Sequence, residues 1–106
     1  MKMKPQYRKG GYSKQTAEQY VNLQSPIYLL SDEIEALQKF EDGKPTGEVI
    51  AYKIWVGQKG LPPFQVKFLE QPDLPEYLSL VTFDNLQACE VNYNVYFKAD
   101  ALKEVE

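Results

Sequence analysis

The chain of 106 residues has no histidine and only one cysteine. No apolar run approaches the ~20 residues of a membrane-spanning helix. Each absence removes a class of function. Without His the commonest general base and the commonest metal ligand are missing, so Ser–His and Cys–His nucleophilic catalysis and His-containing zinc sites are excluded. Cys89 alone cannot close an internal disulfide, and with no His to activate it, it reads as a small buried hydrophobe. The N-terminus is charged and polar, with no apolar stretch for a signal peptide, so a cytoplasmic location is expected. The carboxylates Asp32, Glu33, Glu35, Glu41, Asp42 and Glu48 read as solvated strand faces and turns rather than acid–base pairs. The chain therefore reads as a binding protein and not an enzyme, with no cofactor and no metal.

What is present is aromatic and unevenly charged. Of the aromatic residues, eight are Tyr and one is Trp, types whose apolar body and polar edge suit half-exposed binding surfaces. Residues 1–25 carry Lys2, Lys4, Arg8, Lys9 and Lys14 against Glu18, a net +4, while the remainder carries −7. With Tyr7, Tyr12 and Tyr20 interleaved, Gly10-Gly11 between them and no apolar periodicity, residues 1–25 read as a flexible basic arm. Lys and Arg neutralise phosphates and Tyr rings stack on unpaired bases, so Arg8, Lys9 and Tyr12 are candidates for nucleic-acid contact. The acidic residues 26–106 would repel a polyanion unless their bases gather on one face.

Seven prolines and six glycines cut the rest into short segments, which favours strands. The clearest is Glu48–Val56, after the turn signal Asp42-Gly43. Its Ile50, Tyr52, Ile54 and Val56 are expected inward, and Lys53 and Trp55 outward. In Phe64–Leu69, Phe64, Val66 and Phe68 form the inner row and Gln65 and Lys67 the outer. Paired as a hairpin, the two segments put Lys53, Trp55, Gln65 and Lys67 on one exposed face, with Lys59 at the tip. Leu78–Phe83 is a further strand. Glu90–Lys98 is the last, with Val91, Tyr93, Val95 and Phe97 inward and Asn92, Asn94, Tyr96 and Lys98 outward. Residues 31–40 have good helix propensity, but they run straight into the Asp-Gly turn, so a strand over Leu29–Phe40 is preferred. Five short strands with little helix predict a mainly β domain over 26–106, a small five-stranded barrel of the oligonucleotide-binding (OB) kind; a small β-sandwich has the same strand count.

The run Asp42-Gly43-Lys44-Pro45-Thr46-Gly47-Glu48-Val49, Tyr52, and Gly57-Gln58-Lys59-Gly60 leading to Phe64-Gln65-Val66 resemble the middle of the YdcP-like proteins of Gram-positive integrative and conjugative elements. Leu74-Pro75 and the ending Tyr96-Phe97-Lys98-Ala99-Asp100-Ala101-Leu102 are similar to that family in the same order, so that the likeness covers roughly residues 28–102. The basic arm and Leu61-Pro62-Pro63 depart from its pattern. The resemblance implies an OB fold and a helicase-processivity role in element transfer, with single-stranded DNA, a relaxase and a helicase as partners. On this reading Trp55 stacks on a base, with Tyr96 as a second candidate. Lys53, Lys59, Lys67 and Lys98 follow phosphates, Gln65 adds a hydrogen bond, and Arg8, Lys9 and Tyr12 close over the strand. The acidic body keeps a second expectation open, a protein-interaction adaptor or inhibitor from a phage or plasmid that binds no nucleic acid.

Overall fold

The computed structural model describes residues 11–105. They form one short helix, α1 (Lys14–Tyr20), and eight strands: β1 (Ile27–Leu29), β2 (Glu35–Glu41), β3 (Lys44–Gly57), β4 (Phe64–Phe68), β5 (Leu80–Asp84), β6 (Gln87–Val91), β7 (Asn94–Lys98) and β8 (Ala101–Glu104). The domain is mainly β, as expected, but the expected five strands are eight. They pair in an open sheet of order β6-β7-β4-β3-β1-β5-β8, with β2 on the first part of β3.

Local chemistry explains the differences. The expected strand over Leu29–Phe40 breaks at residues 30–34, where Ser31 turns its hydroxyl back to accept the Trp55 N–H at 2.6 Å. The expected Glu90–Lys98 strand is a hairpin. Asn92 and Tyr93 take positive φ, 48° and 68°, which is the backbone of a two-residue primed turn between β6 and β7. Val91 and Tyr93, expected inward, are therefore exposed near the hairpin end, while Val95 and Phe97 are buried. Leu78–Phe83 starts later, at Leu80, because Leu78 is in a left-handed conformation. The Asp42-Gly43 turn forms as read, with φ of 51° and 78°.

The basic arm to residue 25 is also corrected. Ser13 caps α1, its hydroxyl accepting the Thr16 N–H at 3.1 Å, and Ala17 and Val21 are buried in the core. Seven residues cannot hold a helix alone in water; the packing of Ala17 and Val21 holds this one. Ser13 also exchanges two backbone hydrogen bonds with Ala88 of β6, at 2.9 and 3.0 Å. The segment then returns to the sheet through Gln58, whose buried amide accepts the Asn22 N–H and donates to the Asn22 and Ser25 carbonyls. Residues 12–25 thus belong to the folded domain.

The core lies under β1, β3, β4, β6 and β7. Phe64, Phe68, Leu29, Ile54, Val56, Val66 and Val95 are its largest fully buried strand side chains. The Phe64 and Phe97 rings meet at 4.7 Å between centroids. Gly57 packs closely on Leu30: a Cβ there would stand 2.7 Å from Leu30 Cδ1, so a larger residue needs that side chain to shift. Of the expected inward row of β3, Ile54 and Val56 are buried and Tyr52 half-buried, but Ile50 is 50% exposed. The reason is pairing. β4 covers β3 only from Tyr52 to Val56, so the β2–β3 hairpin beyond it leaves the sheet as a two-stranded arm.

Candidate nucleic-acid interface

The period-two alternation of β3 and β4 sends Ile54, Val56, Phe64, Val66 and Phe68 into the core and turns the intervening residues outward. Antiparallel register then sets Lys53 opposite Lys67 and Trp55 opposite Gln65. The four residues expected to share a face do share it. β7 extends that face. It lies parallel to β4 with Lys98 beside Lys67, and its outward positions are Asn94, Tyr96 and Lys98.

Lys53, Lys67 and Lys98 thus stand at one level on three adjacent strands, with neighbouring Cα atoms ~4.5–5.5 Å apart. Like charges directly opposite each other destabilise a sheet. None of the three is in an ion pair among the described residues, where those pairs are Lys39–Glu41 and Lys103–Asp84. Glu35 lies opposite Lys53 at the end of the row, but its carboxylate accepts the Gln65 side-chain amide at 3.0 Å.

Aromatic surface lies beside it. Trp55 is 44% exposed while its backbone is fixed at both ends, N–H to Ser31 and carbonyl to the Leu30 N–H. Tyr96 is equally exposed on β7. Tyr12 lies over the basic row, its ring centroid 4.7 Å from the Lys98 ammonium and 5.5 Å from that of Lys67. Burial, then the adjacent Cys89 thiol and the Tyr96 phenol, push the Tyr12 phenol up from 10.0 to about 12. It stays a neutral hydrogen-bond donor at physiological pH. The Ser13–Ala88 pairing positions it there.

Lys59 sits exposed in the turn between β3 and β4, as expected, beyond the end of the face rather than in the row. Arg8 and Lys9 lie outside the described residues. Tyr28 is the aromatic that sequence reading missed. It is 41% exposed and opposite Gly57, two residues along β3 from Trp55 and on the same side of the ladder. Such diagonal neighbours lie ~7–8 Å apart, within reach of two aromatic rings. A strand of three residues is too short to show alternation, so nothing in its sequence marked Tyr28.

A depression of about 610 Å³ is elsewhere. It lies between the end of α1 and the turn at residues 58–61 and shares only Lys59 with the residues above. An extended chain laid over a sheet needs an open surface rather than a cavity, so geometry favours the face. Among the described residues no group of acids and thiols is placed to hold a metal ion, and no helix is long and apolar enough to cross a membrane. No family model, curated protein or solved structure matches the chain.

Proposed function

We propose that the chain is a sequence-tolerant single-stranded DNA-binding accessory protein, with the strand lying across β3, β4 and β7. The observation that carries this reading is the row Lys53–Lys67–Lys98, none of them in an ion pair among the described residues, beside the exposed Trp55. Cations at strand spacing neutralise successive phosphates while an indole offers a face to any base, a combination that does not depend on sequence. Gln65, Tyr96, Tyr28 and Tyr12 flank the row. Lys59 adds positive charge beyond it, and the sequence before residue 11 contributes Arg8 and Lys9 as further candidate phosphate contacts.

The chain path supports an OB-like barrel under this face. Only Asn85-Leu86 separate β5 from β6, and only Ala99-Asp100 separate β7 from β8. The residue numbers of every β5·β8 pair and every β6·β7 pair add to the same total, so one register runs through both ladders. They are two halves of one bent ribbon. This continuity supports reading the open sheet as five strands, β1, β3, β4, β7–β8 and β5–β6, with the β1·β5 and parallel β4·β7 pairings in the places where an OB-like barrel needs them. In OB folds the second and third strands carry the oligonucleotide, and here those are β3 and β4. Together with the YdcP-like resemblance, this supports a role beside the relaxase and helicase of a mobile element.

The test is fluorescence anisotropy with labelled oligo-dT at two salt concentrations. Three phosphate contacts on a single strand imply a log–log slope near −2, so affinity is expected to fall roughly 20-fold between about 50 and 200 mM salt. Duplex DNA should compete poorly. A slope near zero, or no binding at low salt, would remove the row from any DNA site.

A further inference from the structure

One side-chain hydrogen bond crosses the lysine face. The Glu35 carboxylate accepts the Gln65 side-chain amide at 3.0 Å, although β2 and β4 are not neighbours in the sheet. β3 lies between them. Glu35 stands opposite Lys53 and Gln65 opposite Trp55, so the bond passes over β3 between Lys53 and Trp55, the outward residues on either side of the buried Ile54. It spans two strand spacings, about 10 Å, which two extended side chains bridge. A carboxylate only accepts, so the NH2 group of Gln65 is the end turned toward Glu35.

This strap affects an approaching polyanion in two ways. At the level of the lysines the face reads Glu35, Lys53, Lys67, Lys98 across β2, β3, β4 and β7, so three cations run into one carboxylate. That carboxylate is held by Gln65, and it is in no ion pair among the described residues. The strap also lies between Lys53 and Trp55, which are two residues, ~7 Å, apart on one strand and within reach of a single nucleotide. We propose that Glu35 ends the phosphate track: it keeps the strand on β3, β4 and β7 and off β2. Its bond to Gln65 opens when one nucleotide sets its phosphate on Lys53 and its base on Trp55. This rests on the single-stranded DNA reading and adds to it a residue that limits affinity and footprint. The bond is exposed and so breaks readily; the strap tunes binding without forbidding it.

Anisotropy with labelled oligo-dT on the full chain tests this, with circular dichroism to confirm that each variant folds. Glu35→Gln removes the charge but keeps an acceptor for the Gln65 amide, Glu35→Ala removes both, and Glu35→Lys adds a cation to the row. Affinity is expected to rise from wild type to Glu35→Gln to Glu35→Ala, the last by about 3- to 10-fold at low salt. Glu35→Lys is expected to bind tighter still and to steepen the log–log salt slope by about 0.7, the mark of one more phosphate on a single strand. Glu104→Gln removes the same charge from β8, which is not a strand of the face, and is expected to stay within about twofold of wild type at about 0.1 M salt. A Glu35→Ala protein that binds no tighter than wild type would overturn the proposal and leave the DNA reading standing. So would an unchanged slope in Glu35→Lys, or an equal gain from Glu104→Gln, which would reduce the effect to net charge. A wild type that binds no oligo-dT at low salt overturns the DNA reading and this proposal with it.

Discussion

Trp55→Ala is expected to leave the domain folded and to weaken oligo-dT binding by about 1–3 kcal/mol, roughly 5- to 150-fold in Kd. Both parts of that result follow from where the residue sits. Its side chain is 44% exposed, so truncation opens no cavity. The contacts that hold β3 against β1 at this level come from its backbone, through Ser31 and the Leu30 N–H, and these are unchanged by the substitution. What is lost is the indole face. Denaturant unfolding together with anisotropy separates the two effects. An affinity within twofold of wild type, with folding intact, would take Trp55 out of the site and leave the lysine row as a bare electrostatic surface.

Phe64→Ala should act in the opposite sense, on the fold and only through it on the face. Phe64 opens β4, lies opposite Val56, is fully buried, and meets the Phe97 ring at 4.7 Å. Truncating such a ring costs about 3–5 kcal/mol, against about 5–15 kcal/mol for the whole stability of a domain. Phe97 is on β7, so this pair ties together the two strands that bring Lys67 and Lys98 side by side. The urea midpoint is expected to fall sharply with the slope unchanged, and oligo-dT binding should weaken in proportion to the unfolded fraction. A loss below about 1 kcal/mol would mean that β4 and β7 are held together by something other than this core.

Much of the face was legible in the sequence for a simple physical reason. Period-two alternation in Glu48–Val56 and Phe64–Leu69, joined by a short glycine-containing loop, leaves only one way to pair them with the apolar rows inward. Lys53, Trp55, Gln65 and Lys67 then fall together. The Asp42-Gly43 turn was legible because its chemistry is local. Long-range pairing was not. Lys98 could be placed on an outer face, but nothing local indicates that β7 runs parallel beside β4. The Asn92-Tyr93 turn was hidden because apolar alternation runs through Val91, Tyr93, Val95 and Phe97 across the turn, and Tyr is rare at positive φ. α1 escaped because its packing depends on two small apolar residues, Ala17 and Val21, one turn apart. The exposed arm escaped for the converse reason. Ile50 continues the core alternation of β3 past the point where β4 ends, and a sequence does not mark where a neighbouring strand stops.

The two halves of the account meet at one indole. Trp55 is the sole tryptophan of the chain, so its emission reports the candidate face and nothing else. Unlabelled oligo-dT titrated into the wild-type protein at low salt is expected to quench that emission saturably, as a base stacks on the ring, and added salt should reverse the quench. Oligo-dT that binds by anisotropy while the emission stays constant would place the strand elsewhere on the molecule and contradict the interface proposed for β3, β4 and β7.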